Sequence, residues 1–167
     1  QQIAKNQSNI VGVLVEVLQG EAGVIMADLE YIRTLRTICD KQEWLLMIDE
    51  VQCGIGRTGK WFGFQHAGVM PDVITLAKGL GSGVPIGACV AAGKATGVFG
   101  PGNHGSTFGG GPLVCAASLA TLQAIEEEGL LEKSTQTGEW IRAQLRERLA
   151  GVAGVKEIRG RGMMMGI

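Results

Sequence analysis

The chain has 167 residues, of which 46% are hydrophobic and 19% charged. Its net charge of −1 leaves no basic excess to neutralise phosphates, and this excludes nucleic-acid binding on electrostatic grounds. No apolar run reaches the roughly 18 residues of a membrane span, so no membrane partner is expected. Four cysteines without CxxC spacing argue against a zinc site or a disulfide framework and suit the reducing cytoplasm: Cys39, Cys53, Cys89 and Cys115.

The first part of the chain predicts a strand, a helix and a second strand. The apolar segment 10–18 is typical of a buried strand. Asp28 can cap a helix that runs to Lys41, because apolar residues recur after it at helical spacing. The next apolar run, 44–48, predicts a second strand that ends at Asp49. This order is that of a βαβ unit, so the two strands are expected to be parallel and buried.

The second part of the chain predicts more short strands and two long helices. A short helix over 61–67 precedes strands over 72–76 and 86–92. The long helices are predicted over 112–127 and 130–150, with Pro112 in the first turn of the earlier one. Two further strands, over 155–158 and 163–167, end the chain. The predicted fold class is therefore α/β, with a mostly parallel sheet and flanking helices.

Candidate chemistry follows two of these strands, because parallel strands bring their carboxyl ends to one edge of a sheet, where ligands bind. Asp49 is either a helix cap or a carboxylate that holds a cationic group of a cofactor. Lys78 is either a snorkelling lysine or an amine that attacks an aldehyde. The histidines, His66 and His104, have no partners at metal-ligand spacing, so no metal is expected.

A glycine-rich segment, 105–111 (GSTFGGG), precedes the first long helix. It is either a plain turn or a phosphate cradle, and it lacks the lysine of a P-loop, which disfavours nucleotide binding.

Taken together, these features resemble the class III aminotransferases, a subgroup of the fold-type I enzymes that depend on pyridoxal 5′-phosphate (PLP). The strand-end carboxylate, the lysine 29 residues later and the Gly-Ser-Thr loop carry the resemblance. The matching segments are 16–24 (EVLQGEAGV), 46–60 (LMIDEVQCGIGRTGK), 71–87 (PDVITLAKGLGSGVPIG), 105–112 (GSTFGGGP) and 158–167 (IRGRGMMMGI).

The resemblance implies a set of cofactor-binding residues. Lys78 is expected to bond covalently to PLP and then to carry the proton between substrate and cofactor. Asp49 is expected to pair with the ring nitrogen, with Glu50 beside it in the same set. Val51 is expected to pack on the ring, and Gln52 to hydrogen-bond its phenolic oxygen.

The resemblance also implies a homodimer with shared active sites. Thr107 is similar to a threonine that reaches the cofactor phosphate of the other subunit, and Ser106 is expected to face substrate there. Glu21 is similar to a gating glutamate whose arginine partner is expected beyond Ile167. The small-molecule partners implied are an amino acid and a 2-oxo acid.

Residues 1–153 are expected to be the C-terminal half of a PLP-binding large domain, and residues 154–167 the start of a small domain. The first methionine is Met26 and the chain stops inside an apolar run, so we expect truncation at both ends and no activity from the isolated fragment.

The implied reaction moves the terminal amino group of N-acetylornithine to 2-oxoglutarate, in arginine biosynthesis. Ornithine, succinylornithine or 4-aminobutyrate are alternative donors, and an aminomutase reaction is an alternative chemistry. A non-enzymatic Rossmann-like binding module is a further alternative, against which stands the absence of GxGxxG after the first strand.

Overall fold

A computed structural model describes residues 9–167. The strands of this part of the chain are β1 (Gly12–Glu16), β2 (Leu18–Gln19), β3 (Ile25–Met26), β4 (Leu45–Asp49), β5 (Val73–Leu76), β6 (Ala88–Ala91), β7 (Arg159–Arg161) and β8 (Met164–Gly166). Its α-helices are α1 (Leu29–Lys41), α2 (Pro112–Glu127) and α3 (Leu130–Arg148). Short 3-10 turns lie at Gly63–His66, Lys78–Leu80 and Gly93–Ala95. None of the helices over residues 9–167 is long and apolar enough to cross a membrane.

The central sheet has the order β1-β4-β5-β6. β1, β4 and β5 are parallel, and β6 runs antiparallel to β5. Helix α1 connects β1 to β4, so the predicted βαβ unit is confirmed, and with it the α/β fold class. Asp28 caps α1 as predicted, since its carboxylate accepts a hydrogen bond from the N–H of Glu30 at 2.9 Å.

The two faces of this sheet differ in their cover. One face forms the core, where Leu46 and Ile48 of β4 pack with Ile32 of α1. The other face is more open, and Leu14 of β1 is 61% exposed on it. Neighbouring residues in register share a face, so Leu14 marks the face that also carries the side chain of Asp49. The last carboxylate of β4 therefore lies on the open face of the sheet.

Two segments differ from the sequence-based prediction. Segment 10–18 is not one strand, because the chain leaves the sheet at the buried Val17 and β2 pairs with β3. The predicted strand over 155–158 is wrong, and the strand is β7, which pairs with β8 in a hairpin. Arg-Gly-Arg lacks the apolar alternation of a strand, so this pairing comes from tertiary contacts with α3 and β3.

Smaller shifts affect the element ends. The short helix predicted over 61–67 is the 3-10 turn Gly63–His66, and the helix predicted over 130–150 ends at Arg148. Helices α2 and α3 pack against each other, and α2 also contacts the turn that begins at Lys78. Gly129 connects the two helices with φ +62°, a left-handed conformation that glycine adopts without strain.

Candidate functional site

The ends of three parallel strands form one row at the carboxyl edge of the sheet. Glu16, the last residue of β1, pairs in register with Asp49, the last residue of β4, and Asp49 pairs with Thr75 of β5. The N–H of Glu50 donates to the carbonyl of Thr75 at 3.0 Å, so the hydrogen bonding between β4 and β5 extends one residue past the end of β4. Lys78 follows three residues after Thr75. The prediction that Asp49 and Lys78 belong to one edge is therefore confirmed.

Lys78 occupies a strained position at this edge. Its φ is +44°, a left-handed conformation that costs a residue with a side chain roughly 1–2 kcal/mol. Two hydrogen bonds hold the turn, from Leu80 to Ala77 at 2.9 Å and from Gly81 to Lys78 at 3.1 Å, and the Leu80 side chain is buried. The lysine side chain itself is exposed. The backbone strain at Lys78 is thus maintained by the packing of the buried Leu80, while the lysine amine stays exposed. Strain of this kind is typical of functional positions.

The Asp49 carboxylate is fixed on one side only. Its Oδ1 accepts a hydrogen bond from the N–H of Val51 at 2.9 Å. Within the part of the chain that the structure describes, Oδ2 has no hydrogen-bond partner. Asp49 can therefore hold a cationic group without losing the bond that orients it.

The Glu50 carboxylate points into the protein interior, where it is 1% exposed. Its Oε1 accepts from the N–H of Phe64 at 2.9 Å, and its Oε2 accepts from the N–H of Gly63 at 2.8 Å and from the Cys53 thiol at 3.0 Å. Burial raises the pKa of Glu50 despite these hydrogen bonds, and burial next to Glu50 raises the pKa of Cys53. The structure gives Glu50 a role in holding the loop that follows Asp49; a contact between its carboxylate and a cofactor stays a prediction.

Glu21 and Gln52, predicted from different segments, are in direct contact. The Gln52 side-chain amide donates to Glu21 Oε1 at 3.0 Å. The two segments approach so closely that a Cβ on Gly20 would overlap the Gln52 side chain. A side chain at position 20 would displace the end of Gln52 from this contact, which joins the predicted substrate-binding and cofactor-binding residues.

Ser106 and Thr107 lie elsewhere, in the exposed loop before α2. The Ser106 hydroxyl accepts a hydrogen bond from the N–H of Gly109 at 3.0 Å. Over residues 9–167, no hydrogen bond joins either residue to Asp49 or Lys78. Their predicted roles in the site of a second subunit stay predictions.

Thr75 lies beside Asp49 at this edge, a position that the sequence reasoning did not single out. Its hydroxyl is buried and has no hydrogen-bond partner among the described residues, although it neighbours Asp49 on the open face. The signal was available, because a threonine within the apolar run Val-Ile-Thr-Leu falls on the same face as the strand-end carboxylate.

The residues at this edge fit PLP. A carboxylate with a free oxygen suits its protonated ring nitrogen, an exposed lysine amine suits its aldehyde, and the side-chain amide of Gln52 suits its phenolic oxygen.

His66 is a structural residue away from this edge. Its Nε2 lies 3.1 Å from the Thr58 hydroxyl and its Nδ1 lies 2.6 Å from a guanidinium nitrogen of Arg161. Burial, with the positive charges of Arg161 and Lys60, lowers the pKa of His66 to about 4. The neutral ring therefore accepts from Arg161 and donates to Thr58. Among residues 9–167, no group of three His, Cys, Asp or Glu side chains could hold a metal ion.

Comparisons with known proteins agree on one family. The family described as "Aminotransferase class-III" matches residues 1–167. The acetylornithine aminotransferase of Nitrosomonas europaea is 58% identical over 165 residues, which are 99% of this chain and 42% of that protein. The chain thus spans about two fifths of the length of this curated relative.

Solved structures superpose on almost all of the chain. The ornithine aminotransferase of Toxoplasma gondii, crystallised with oxidised glutathione and showing partial occupancy of PLP at its active site, has a TM-score of 0.92 at 37% identity, over 98% of this chain and 39% of its own. The acetylornithine aminotransferase of Elizabethkingia anophelis has a TM-score of 0.91 at 35% identity, over 98% of this chain and 41% of its own.

Proposed function

Because the chain belongs to the class-III aminotransferase family, we propose that the complete protein moves amino groups between an amino acid and a 2-oxo acid. Its α/β fold is fold type I, as predicted. The cofactor of the family is PLP, which supplies, when bound, an aldehyde that takes up the amino group and a ring that accepts the electron pair released at the neighbouring carbon.

The observation that carries this proposal is the arrangement of Asp49 and Lys78 at one edge of the sheet. Asp49 would hold the protonated ring nitrogen through Oδ2, the carboxylate oxygen that does not accept the hydrogen bond from the N–H of Val51. Lys78 would bind the aldehyde carbon and, once released by the incoming amine, take a proton from the substrate carbon and return it on the cofactor side. Val51 would pack on the ring and Gln52 would bind its phenolic oxygen, while Glu50 keeps their loop in place.

For the substrates we propose N-acetylornithine as donor and 2-oxoglutarate as acceptor, which places the protein in arginine biosynthesis. Support comes from the relative of 58% identity, an acetylornithine aminotransferase, although the chain covers only 42% of it. Ornithine is the second candidate donor, because a solved ornithine aminotransferase superposes with a TM-score of 0.92.

We also propose a homodimer in the cytoplasm, in which Ser106 and Thr107 of one subunit serve the site of the other. The exposure of their loop supports this, since Phe108 beside them is 90% exposed. All four cysteines are free, which suits a reducing compartment. The domain division, 1–153 and 154–167, is part of the same proposal.

The test is an assay of the complete protein with N-acetylornithine and 2-oxoglutarate. We expect glutamate to form, with a higher kcat/KM than with ornithine, succinylornithine or 4-aminobutyrate. Absence of glutamate with all four donors would exclude the proposed reaction, and turnover without an acceptor would indicate an aminomutase instead.

A further inference from the structure

The guanidinium of Arg159, the first residue of β7, lies against the turn that carries Glu21. Its Nε and one terminal nitrogen both donate to the carbonyl oxygen of Gly23, at 2.8 and 2.6 Å. The other terminal nitrogen donates to Glu157 at 2.8 Å. All three guanidinium nitrogens therefore have an acceptor, and the planar group cannot turn without breaking a bond.

The turn is formed by residues 20–24 and has an unfavourable backbone. The N–H groups of Gly23 and Val24 both donate to the carbonyl of Gly20, at 3.1 and 3.2 Å. Val24 has a φ of +59°, which is strained for a β-branched residue. Gly166 of β8 packs closely against the same carbonyl group, since a Cβ added to it would lie 2.8 Å from the Gly23 carbonyl oxygen. The hairpin of β7 and β8 thus supplies the outside contacts that a strained turn needs.

Glu21 depends on this anchor for its position. Its hydrogen bond to Gln52 joins two side chains at the surface, and such a bond alone contributes little to the ordering of a loop. The bonds from Arg159 are charge-assisted, are partly buried and act on a backbone atom two residues from Glu21.

We propose that Arg159 is a positioning residue, which holds the turn 20–24 through the Gly23 carbonyl so that Glu21 stays in contact with Gln52 where the amino substrate binds. The proposal deepens the proposed function and rests on it. Arg159 does not touch the substrate itself; it acts through the backbone of the turn.

The experiment compares three variants of the complete enzyme carrying PLP. Arg159→Met keeps the length of the side chain and removes its donors, Arg159→Lys keeps the charge and one donor group, and the control Glu157→Gln leaves both bonds to Gly23 intact. We expect Arg159→Met to raise KM for the amino donor about tenfold with kcat little changed, since it loses charge-assisted hydrogen bonds outside the reacting centre. Arg159→Lys should recover part of the loss, and Glu157→Gln should match the wild type.

A second measurement does not depend on activity. Hydrogen–deuterium exchange without substrates should show about tenfold faster exchange at Gly23 and Val24 in Arg159→Met, with segment 45–52 unchanged. Unchanged KM and exchange, or faster exchange in both segments, would overturn the positioning role while leaving amino transfer intact. A wild type without amino transfer would instead overturn the proposed function, and with it the role in substrate binding.

Discussion

Replacing Glu50 with alanine should weaken the fold strongly, although the residue lies next to a proposed cofactor-binding carboxylate. The change leaves the buried N–H groups of Gly63 and Phe64 without an acceptor. Each unpaired buried donor costs about 1–3 kcal/mol, so the free energy of unfolding should fall by about 2–6 kcal/mol. The control is Glu30→Ala, which removes only an exposed ion pair with Arg33 and should cost less than about 1 kcal/mol.

The assay is urea unfolding of the complete protein without PLP, followed by tryptophan fluorescence. The midpoint should fall much further for Glu50→Ala than for Glu30→Ala. Equal midpoints for the two variants would mean that the carboxylate does not hold the loop of residues 50–64.

The pH dependence of Glu50→Gln tests the same carboxylate. Because burial raises the pKa of Glu50, the folded state favours its protonated form. The stability from this group is complete below the ordinary pKa of about 4.3 and is lost as pH rises through the raised value. The amide of the variant does not titrate, so the difference between the wild-type and variant urea midpoints should shrink as pH rises from about 4.3. A constant difference would contradict this.

Three further predictions concern single residues. Lys78→Ala should lower kcat about 10²–10⁴-fold in the amino-transfer assay, as expected for loss of the acid–base group, while Lys60→Ala should keep normal kcat. Thr75→Val should leave the urea midpoint of the PLP-free protein unchanged or higher, because it removes an unpaired buried hydroxyl. A lower midpoint would show that the hydroxyl has a partner. The neutral form of His66 is favoured in the fold, so its contribution to stability is complete above pH about 6.5 and is lost as pH falls to about 4. His66→Gln should therefore flatten the decline of the urea midpoint between those two pH values, and an unchanged decline would contradict this.

The sequence predicts the central unit because its signals are local. Asp28 and the helical spacing of Ile32 and Cys39 define α1, and apolar runs define the strands on both sides of it. Once β1, β4 and β5 are parallel, elementary sheet geometry brings Asp49 and the residues before Lys78 to one edge. These parts of the fold and site are set by patterns only a few residues long.

The rest depends on contacts that no local pattern contains. Strand alternation turns Glu50 to the face opposite Asp49, but its acceptance of hydrogen bonds from Gly63 and Phe64 depends on the loop between them. β7 is a strand because it pairs with β8, although its sequence has no strand pattern. The bonds from Arg159 to Gly23 join residues 136 positions apart. Such contacts require the tertiary structure.

Lys78 is the residue proposed to carry the cofactor at the edge defined by Asp49. The most direct test is to add PLP to the complete protein, reduce it with borohydride and map the modified peptide by mass spectrometry. We expect a pyridoxyl label on Lys78, and a greatly reduced label in Lys78→Ala. A label on another lysine, or none in a folded protein, would contradict the assignment.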